Sequence, residues 1–287
     1  MKLSSLRVVA FAAVLIATPA SAASDVETIQ DVIDLLIAKS ERSNIENTVD
    51  LPKTGDPSVP VTGILTTFMA NTETIRQAIS VGANLIISHE TLFYNHRDRV
   101  DWLEGDDVYA HKLGLLNQHG IVVFRFHDYI HGFRPDPILQ ENIEALGWTE
   151  RLEEGSRNVV SLPEGRLEDL VRHVKASLDA DNLRVIGDPN MTYTRVGIMP
   201  GAPPSQRQME FTRRSEVDVL IAGEIREWET PEYFRDAISA GQNRALIVTG
   251  HSPSESYGMA WLARWLNEEL AEVPVVYFET RAPFWYH

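Results

Sequence analysis

From residue 61 to residue 279 two hydrophobic periods alternate along the chain. Short apolar runs rich in Val and Ile read as strands at 61–68, 84–88, 120–126, 182–187, 194–199, 217–222, 244–249 and 274–279. Most are separated by stretches with apolar residues every three or four positions. These predict helices at 72–81, 107–118, 137–146, 166–179, 206–215, 230–240 and 254–270, with an earlier one at 25–40. A helix buries one stripe and a sheet buries its faces, so repeated alternation forces helices onto sheets. It excludes a β-sandwich and a helix bundle, and the class expected is α/β with layered sheets. Residues 51–60 carry Pro52, Gly55, Pro57 and Pro60 and read as a turn-rich connector. Residues 149–164 are largely polar and aperiodic, which makes them a linker between one lobe at 23–150 and another at 151–287. One αβ unit is echoed: residues 76–82 and 235–241 agree at five of seven positions, and each leads into a strand that ends in His. A duplicated unit accounts for that match better than convergence does.

The first 22 residues have the character of a signal peptide. Lys2 and Arg7 precede an apolar run at 8–16, and Ala20-Ser21-Ala22 forms a small-x-small cleavage site. That run is too short to span ~30 Å of hydrocarbon, and no later stretch approaches the length a membrane helix needs. The product is expected to be exported, periplasmic or secreted, with no membrane contact after cleavage. Loss of Lys2 and Arg7 leaves 24 basic residues against 41 acidic ones, a charge of −17. Such an excess argues against nucleic acid as a partner, because a phosphate backbone needs clustered Lys and Arg. There is no Cys, so any metal must sit on imidazole nitrogen and carboxylate oxygen.

Six of the nine histidines fall between 89 and 131. Three places share one grammar, in which an apolar strand ends at a His near a carboxylate. Strand 84–88 leads to His89-Glu90, strand 121–126 to His127-Asp128-Tyr129-Ile130-His131, and strand 245–250 to His251-Ser252-Pro253-Ser254-Glu255. Carboxyl ends of strands in open α/β sheets are where ligands bind. Three converging ends would set two to four imidazoles beside two or three carboxylates. Such a set suits Zn²⁺, Mn²⁺, Fe²⁺ or Co²⁺ and is large enough for two ions. Ser252 or Ser254 is the expected N-cap of the last helix, with Pro253 in its first turn and Glu255 one turn beyond His251. His127 and His131 either share a helical face, or His127 closes the strand and only His131 reaches a metal. A lone strand-end His is more often structural, so the weight lies on the three clusters together. His111, His119, His173 and His287 read as surface or cap residues, and His96 with Asp98 as a rim or as a layer behind the ligands.

Residues 82–93, Gly-Ala-Asn-Leu-Ile-Ile-Ser-His-Glu-Thr-Leu-Phe, resemble a segment of the NIF-three-like (NGG-interacting factor three) dinuclear metal centre family, also known as GTP cyclohydrolase I type two. Asp218-Val-Leu-Ile-Ala-Gly-Glu224 is similar to that family's Asp-x-x-Ile-Thr-Gly-Glu, and Gly250-His-Ser-Pro-Ser-Glu255 to its Gly-His-x-x-Ser/Thr-Glu. The match runs over most of 60–280. The resemblance implies a two-lobed α/β subunit, two divalent transition-metal ions held between the lobes, and often a toroidal homohexamer. It implies that the C-terminal helix and strand return to the metal site. Carried over by position, His89 takes the place of the first ligand His, while His251 and Glu255 match the late His and the bridging Glu. Two positions depart from the pattern: Glu90 stands where a second His is usual, and His131 where the middle motif has its Asp. The departures are reciprocal, so the combined count of imidazoles and carboxylates is unchanged. Whether Asp128 or His131 coordinates stays open. The family's early Trp-Asp-Asn segment is absent from 41–60.

The leading expectation is a metal-dependent hydrolase of a small molecule, with water activated at the ions attacking a phosphoryl or acyl centre. His127 and Glu224 are its candidate catalytic residues, as orienters or proton shuttles. Purine-nucleotide cyclohydrolysis is a narrower version, disfavoured by the acid excess and by the lack of a Walker-type loop unless Arg125 and Arg134 form a basic patch. The alternative from another class is a metal-binding or assembly protein without turnover.

Overall fold

The computed structural model describes residues 26–180, 182–280 and 283–284. The leader expected over 1–22 and His287 lie outside the described residues. Helix α1 (Ile29–Lys39) opens on a reciprocal cap: Thr28 Oγ1 accepts from Asp31 N while the Asp31 carboxylate accepts from Thr28 N. There follow β1 (Pro52–Thr54), β2 (Ile64–Thr67), α2 (Thr72–Val81), β3 (Leu85–Ser88), α3 (Asp107–Gln118), β4 (Val122–Arg125) and α4 (Pro137–Ala145). Next come β5 (Val159–Arg166), α5 (Leu167–Ser177), β6 (Arg184–Ile186), β7 (Thr192–Met199), α6 (Ser205–Arg214) and β8 (Val219–Ala222). The chain ends in α7 (Thr230–Ser239), β9 (Ala245–Val248), α8 (His251–Glu269) and β10 (Val275–Tyr277).

These strands form two five-stranded sheets, ordered β1-β4-β3-β2-β10 and β5-β7-β8-β9-β6. In the first, β10, β2, β3 and β4 run parallel; in the second, β7, β8 and β9 do. Both faces of each sheet are covered, which is why their strands are continuous apolar runs rather than alternating ones. In the first sheet Ile64, Leu85, Ile87, Val122 and Phe124 face one core, and Leu65, Ile86 and Val123 face the other. In the second, Val196, Ile198, Val219 and Ile221 face one core, and Leu220, Ala222, Leu246 and Val248 face the other. The expected α/β layering holds.

Helix α8 belongs to both sheets. It leaves the carboxyl end of β9, yet Met259, Leu262, Ala263 and Leu266 pack into the core under β2, β3 and β4. Thr66 Oγ1 donates to the Met259 carbonyl at 2.9 Å, and β10 then pairs with β2. Helix α4 crosses α8 at Gly258, where a Cβ would stand 2.8 Å from the Ile138 Cα. Register aligns the strand exits: Thr67, Ser88 and Arg125 lie side by side in one sheet, and Met199, Ala222 and Val248 in the other.

Three local expectations are corrected. The stretch read as a linker carries β5, and the turn-rich connector carries β1. Both are edge strands, antiparallel to β7 and β4, and the outer side of β5 carries an isolated bridge between Leu152 and Val160. The register of β5 shifts between Ser161 and Gly165, around Pro163, so neither a clean alternation nor an apolar run marks it. Helix α8 begins at His251, with Gly250 at φ +95° as the residue before it. Neither serine caps it: Ser254 Oγ donates to the His251 carbonyl and accepts from Gly201 N, and Ser252 Oγ donates to the Thr280 carbonyl.

Candidate metal centre

The exits of β3 and β4 deliver His89, Glu90 and His127 to one place, and the single 3₁₀ turn Ile130–Gly132 brings His131 beside them. The first turn of α8 adds His251 and Glu255, four residues apart on one helical face, with Nε2 and Oε2 3.0 Å apart. His89 and Glu255 form a buried floor, and His127, His131 and His251 are partly open to solvent. Ring nitrogens of His89, His127 and His131 lie within 4.8 Å of one another, as do ligand atoms of His89, Glu90 and Glu255.

Each of the four imidazoles has an acceptor at Nδ1. His89 faces the Phe126 carbonyl at 3.3 Å, His127 faces Asp128 Oδ1 at 3.0 Å, His131 faces Asp136 Oδ2 at 3.0 Å and His251 faces Glu224 Oε2 at 3.0 Å. An acceptor there keeps the N–H on Nδ1 and leaves the Nε2 lone pair free, the arrangement that orients metal-bound histidines. Asp136 does two jobs, since its other oxygen accepts from Ile138 N and caps α4.

The inner atoms are not satisfied by one another. His89 Nε2 and Glu255 Oε2 are buried without a hydrogen-bond partner, although they lie 3.3 Å apart. Glu90 Oε1 stands 3.6 Å from both His127 Nε2 and His251 Nε2. Lone pairs held this close repel unless a cation lies among them, and orphaned buried polar atoms are rare enough to need such a cause. Without a metal, protons supply the positive charge. Burial opposes charge on His251, yet Glu224 and Glu255 push its pKa up to about 10. Burial likewise opposes charge on His89, and Glu255 outweighs it, raising that pKa too. Burial would lift the Glu255 carboxyl, but His89 and His251 drive it well below the usual carboxylate range. His127 goes the other way, lowered chiefly by burial. The donor set fits a divalent transition metal: imidazole nitrogens, two carboxylates and an outer acceptor behind every ring.

Backbone geometry closes the floor. Gly201, at φ +71° beyond β7, lies so near Glu255 that a Cβ there would meet its Oε1. Glu224 N donates to the Gly201 carbonyl at 2.7 Å, tying the exits of β7 and β8 together beneath the centre.

The remaining expected residues take outer positions. Asp128 has both oxygens engaged, Oδ1 by His127 and Oδ2 by Thr48 Oγ1 at 2.9 Å and Val49 N at 3.0 Å. The His127 bond holds its pKa well below the usual range. Glu224 stands behind His251 with its side chain 57% exposed. The exposed His96 ring meets His127 edge-on at 5.5 Å. The basic patch expected from Arg125 and Arg134 is not formed: Arg125 is fully buried and turned inward, while Arg134 is exposed and bonded to the His131 and Phe133 carbonyls.

Two roles in the surround have no counterpart in the sequence reading, that of Asp50 and that of Arg125 as a buried partner rather than half of a basic patch. Asp50 accepts from the backbone N–H groups of His127, Asp128 and Tyr129 at 2.8–2.9 Å and so shapes the exit of β4. It lies in an aperiodic segment that carries no signal. Arg125 did leave one: a guanidinium inside the apolar run Ile-Val-Val-Phe-Arg-Phe requires a buried partner.

A sequence model of the Duf34/NIF3 (NGG1p interacting factor 3) family matches residues 28–283. Among curated relatives, a GTP cyclohydrolase 1 type 2 homolog of Chlamydia pneumoniae is 26% identical over 248 residues, covering 80% of this chain and 88% of that one. A homolog of the same name from Clostridium perfringens is 25% identical over 214 residues, 70% of this chain and 76% of the other. Among solved structures, a Bacillus cereus protein related to NIF3 superposes with a TM-score of 0.72 at 15% identity, covering 92% of this chain and all of its own. A hypothetical protein of Staphylococcus aureus does so at 0.71 and 21%, with the same coverage. At these identities the two structures speak to the fold alone.

Proposed function

The chain belongs to the Duf34/NIF3 family, and from that membership and the four oriented imidazoles we propose that it is an exported, metal-dependent hydrolase of a small molecule. The observation that carries the proposal is the acceptor at every Nδ1, which leaves four Nε2 atoms free around two carboxylates. In this reading His89, His127 and His131 hold one ion and Glu90, His251 and Glu255 hold a second, with His89 in reach of both. His131 rather than Asp128 is the ligand from the loop after β4, because Asp128 has no oxygen to spare. Zn²⁺, Mn²⁺, Fe²⁺ and Co²⁺ all suit this nitrogen and oxygen set. When bound, such ions polarise a phosphoryl or acyl oxygen and acidify water.

The chain's own residues would do the rest. Asp128, Asp136 and Glu224 hold three rings in the tautomer that ligation needs. The buried pair His89 and Glu255 excludes water from the floor, so substrate enters past His127, His131 and His251. Glu224, kept ionised chiefly by its bond from His251, is the group at the mouth that can take a proton on its solvent-facing side. Export rests on the leader at 1–22, and assembly into a ring on the family likeness.

Elemental analysis of the mature protein tests the metal claim, with His251→Ala and Glu255→Ala as controls. Bound transition metal in wild type and its loss in both variants are expected, and a metal-free wild type under replete conditions would sink the proposal. A panel of phosphate esters, carboxylic esters, amides and GTP, run with Mn²⁺ or Zn²⁺, tests turnover. A loaded protein inert on all of them would leave the metal-binding role without catalysis.

A further inference from the structure

We propose that Arg125 is a positioning residue that makes Glu90 a one-oxygen, charge-compensated ligand, so that the Glu90–Arg125 pair occupies its corner of the centre as a neutral unit. The inference rests on the metal-site reading above. Arg125 closes β4 beside Ser88, the residue that precedes His89-Glu90, and its side chain is fully buried. All three guanidinium nitrogens are engaged. Nε donates to the His89 carbonyl at 3.2 Å, Nη1 donates to the His96 carbonyl, and Nη2 lies 3.0 Å from Glu90 Oε2. Glu90 Oε2 also accepts from Thr91 N at 3.2 Å. The oxygen left over, Oε1, is the one that stands 3.6 Å from His127 Nε2 and from His251 Nε2.

That asymmetry restricts Glu90 to a single donor atom. A free carboxylate beside a cation turns to offer both oxygens, whereas one with Oε2 pinned by a buried guanidinium offers one. It also changes the charge. On its far side Arg125 Nη1 is 3.7 Å from Asp98 Oδ2, which lies 3.5 Å from Lys53 Nζ. The run Glu90, Arg125, Asp98, Lys53 alternates in sign and sums to zero, as buried charges must if each is to be compensated. The guanidinium behind position 90 thus balances the charge of the carboxylate that stands there.

The test is a double-mutant cycle read by metal affinity, in competition with a chelator, and by the visible spectrum of the Co²⁺ form. Glu90→His alone leaves the Arg125 charge facing the ions and is expected to weaken binding about tenfold or more. Adding Arg125→Gln removes that charge and is expected to restore affinity to within about threefold of wild type. Arg125→Gln alone frees the second oxygen of Glu90 and changes the Co²⁺ absorption. Should that single variant fail to fold, the comparison of Glu90→His with the double variant carries the test, because the double variant also lacks the carboxylate that Arg125 partnered. Additive effects in the cycle would overturn the proposal, as would Glu90→His binding metal like wild type. A wild type that takes up no metal would instead remove the metal-site reading itself.

Discussion

His251 sits between Glu224 at its Nδ1 and Glu255 at its Nε2, and this placement makes a signed claim about pH. In the metal-free protein its pKa rises from 6.5 to about 10. The stability it contributes is therefore complete below pH 6.5 and is lost as pH climbs through about 10. Glu255, depressed below its ordinary 4.5, contributes above that value and loses its share as pH falls. With a chelator present, urea unfolding is expected to show stability declining from pH 6.5 to 10, and His251→Gln to show a shallower decline; identical slopes would refute the assignment. The same residue was legible in sequence as a strand-end His near Glu255. What sequence could not show was orientation. As donors Asp128 and His131 are equivalent in sequence, whereas in the fold Thr48 and Val49 occupy the Asp128 oxygen that faces away from His127.

Elements differ in how plainly they announce themselves, and the reason is how many sides of each are covered. Helices α2 and α3 end where expected because Asn71 and Asp106 cap their starts and Gly82, at φ +73°, stops α2. The inner parallel strands are apolar on both faces and read as unbroken runs. Edge strands β1 and β5 each pair with a single strand and carry Pro52 and Pro163, so their pattern is that of a loop. The crossing of α4 and α8 is another feature without a sequence signal, since Gly258 in a helix looks merely tolerated. Its place against Ile138 makes it a requirement, because besides the Ile138 Cδ1 methyl the near atoms are Ile138 Cα and N, which are backbone and cannot step aside. Gly258→Ala is expected to destabilise the fold by about 1–3 kcal/mol through overpacking. It should also weaken metal binding, since Asn142 Nδ2 of α4 holds the Ser254 carbonyl in the first turn of α8. Urea unfolding and a metal titration check the two effects, and a variant as stable as wild type would refute the crowding.

At the scale of the whole molecule, α8 and β10 decide how the two sheets communicate. The candidate ligands come from the exits of β3 and β4 in one sheet and from a helix that leaves β9 in the other. That helix buries its apolar stripe under the first sheet. A bound ion therefore closes a link between the sheets as well as filling a site. Mass action sets its size: an ion held at a hundred times its dissociation constant adds about 2.7 kcal/mol to the native state and nothing to the unfolded one. Chelation is expected to lower Tm by several degrees, and amide exchange in β3 and in β9 should accelerate together. In Glu255→Ala, chelation should then change neither quantity. If removing metal speeds exchange in β3 and β4 while β9 stays protected, the ion serves only the first sheet. The centre would then not be the joint between the two halves.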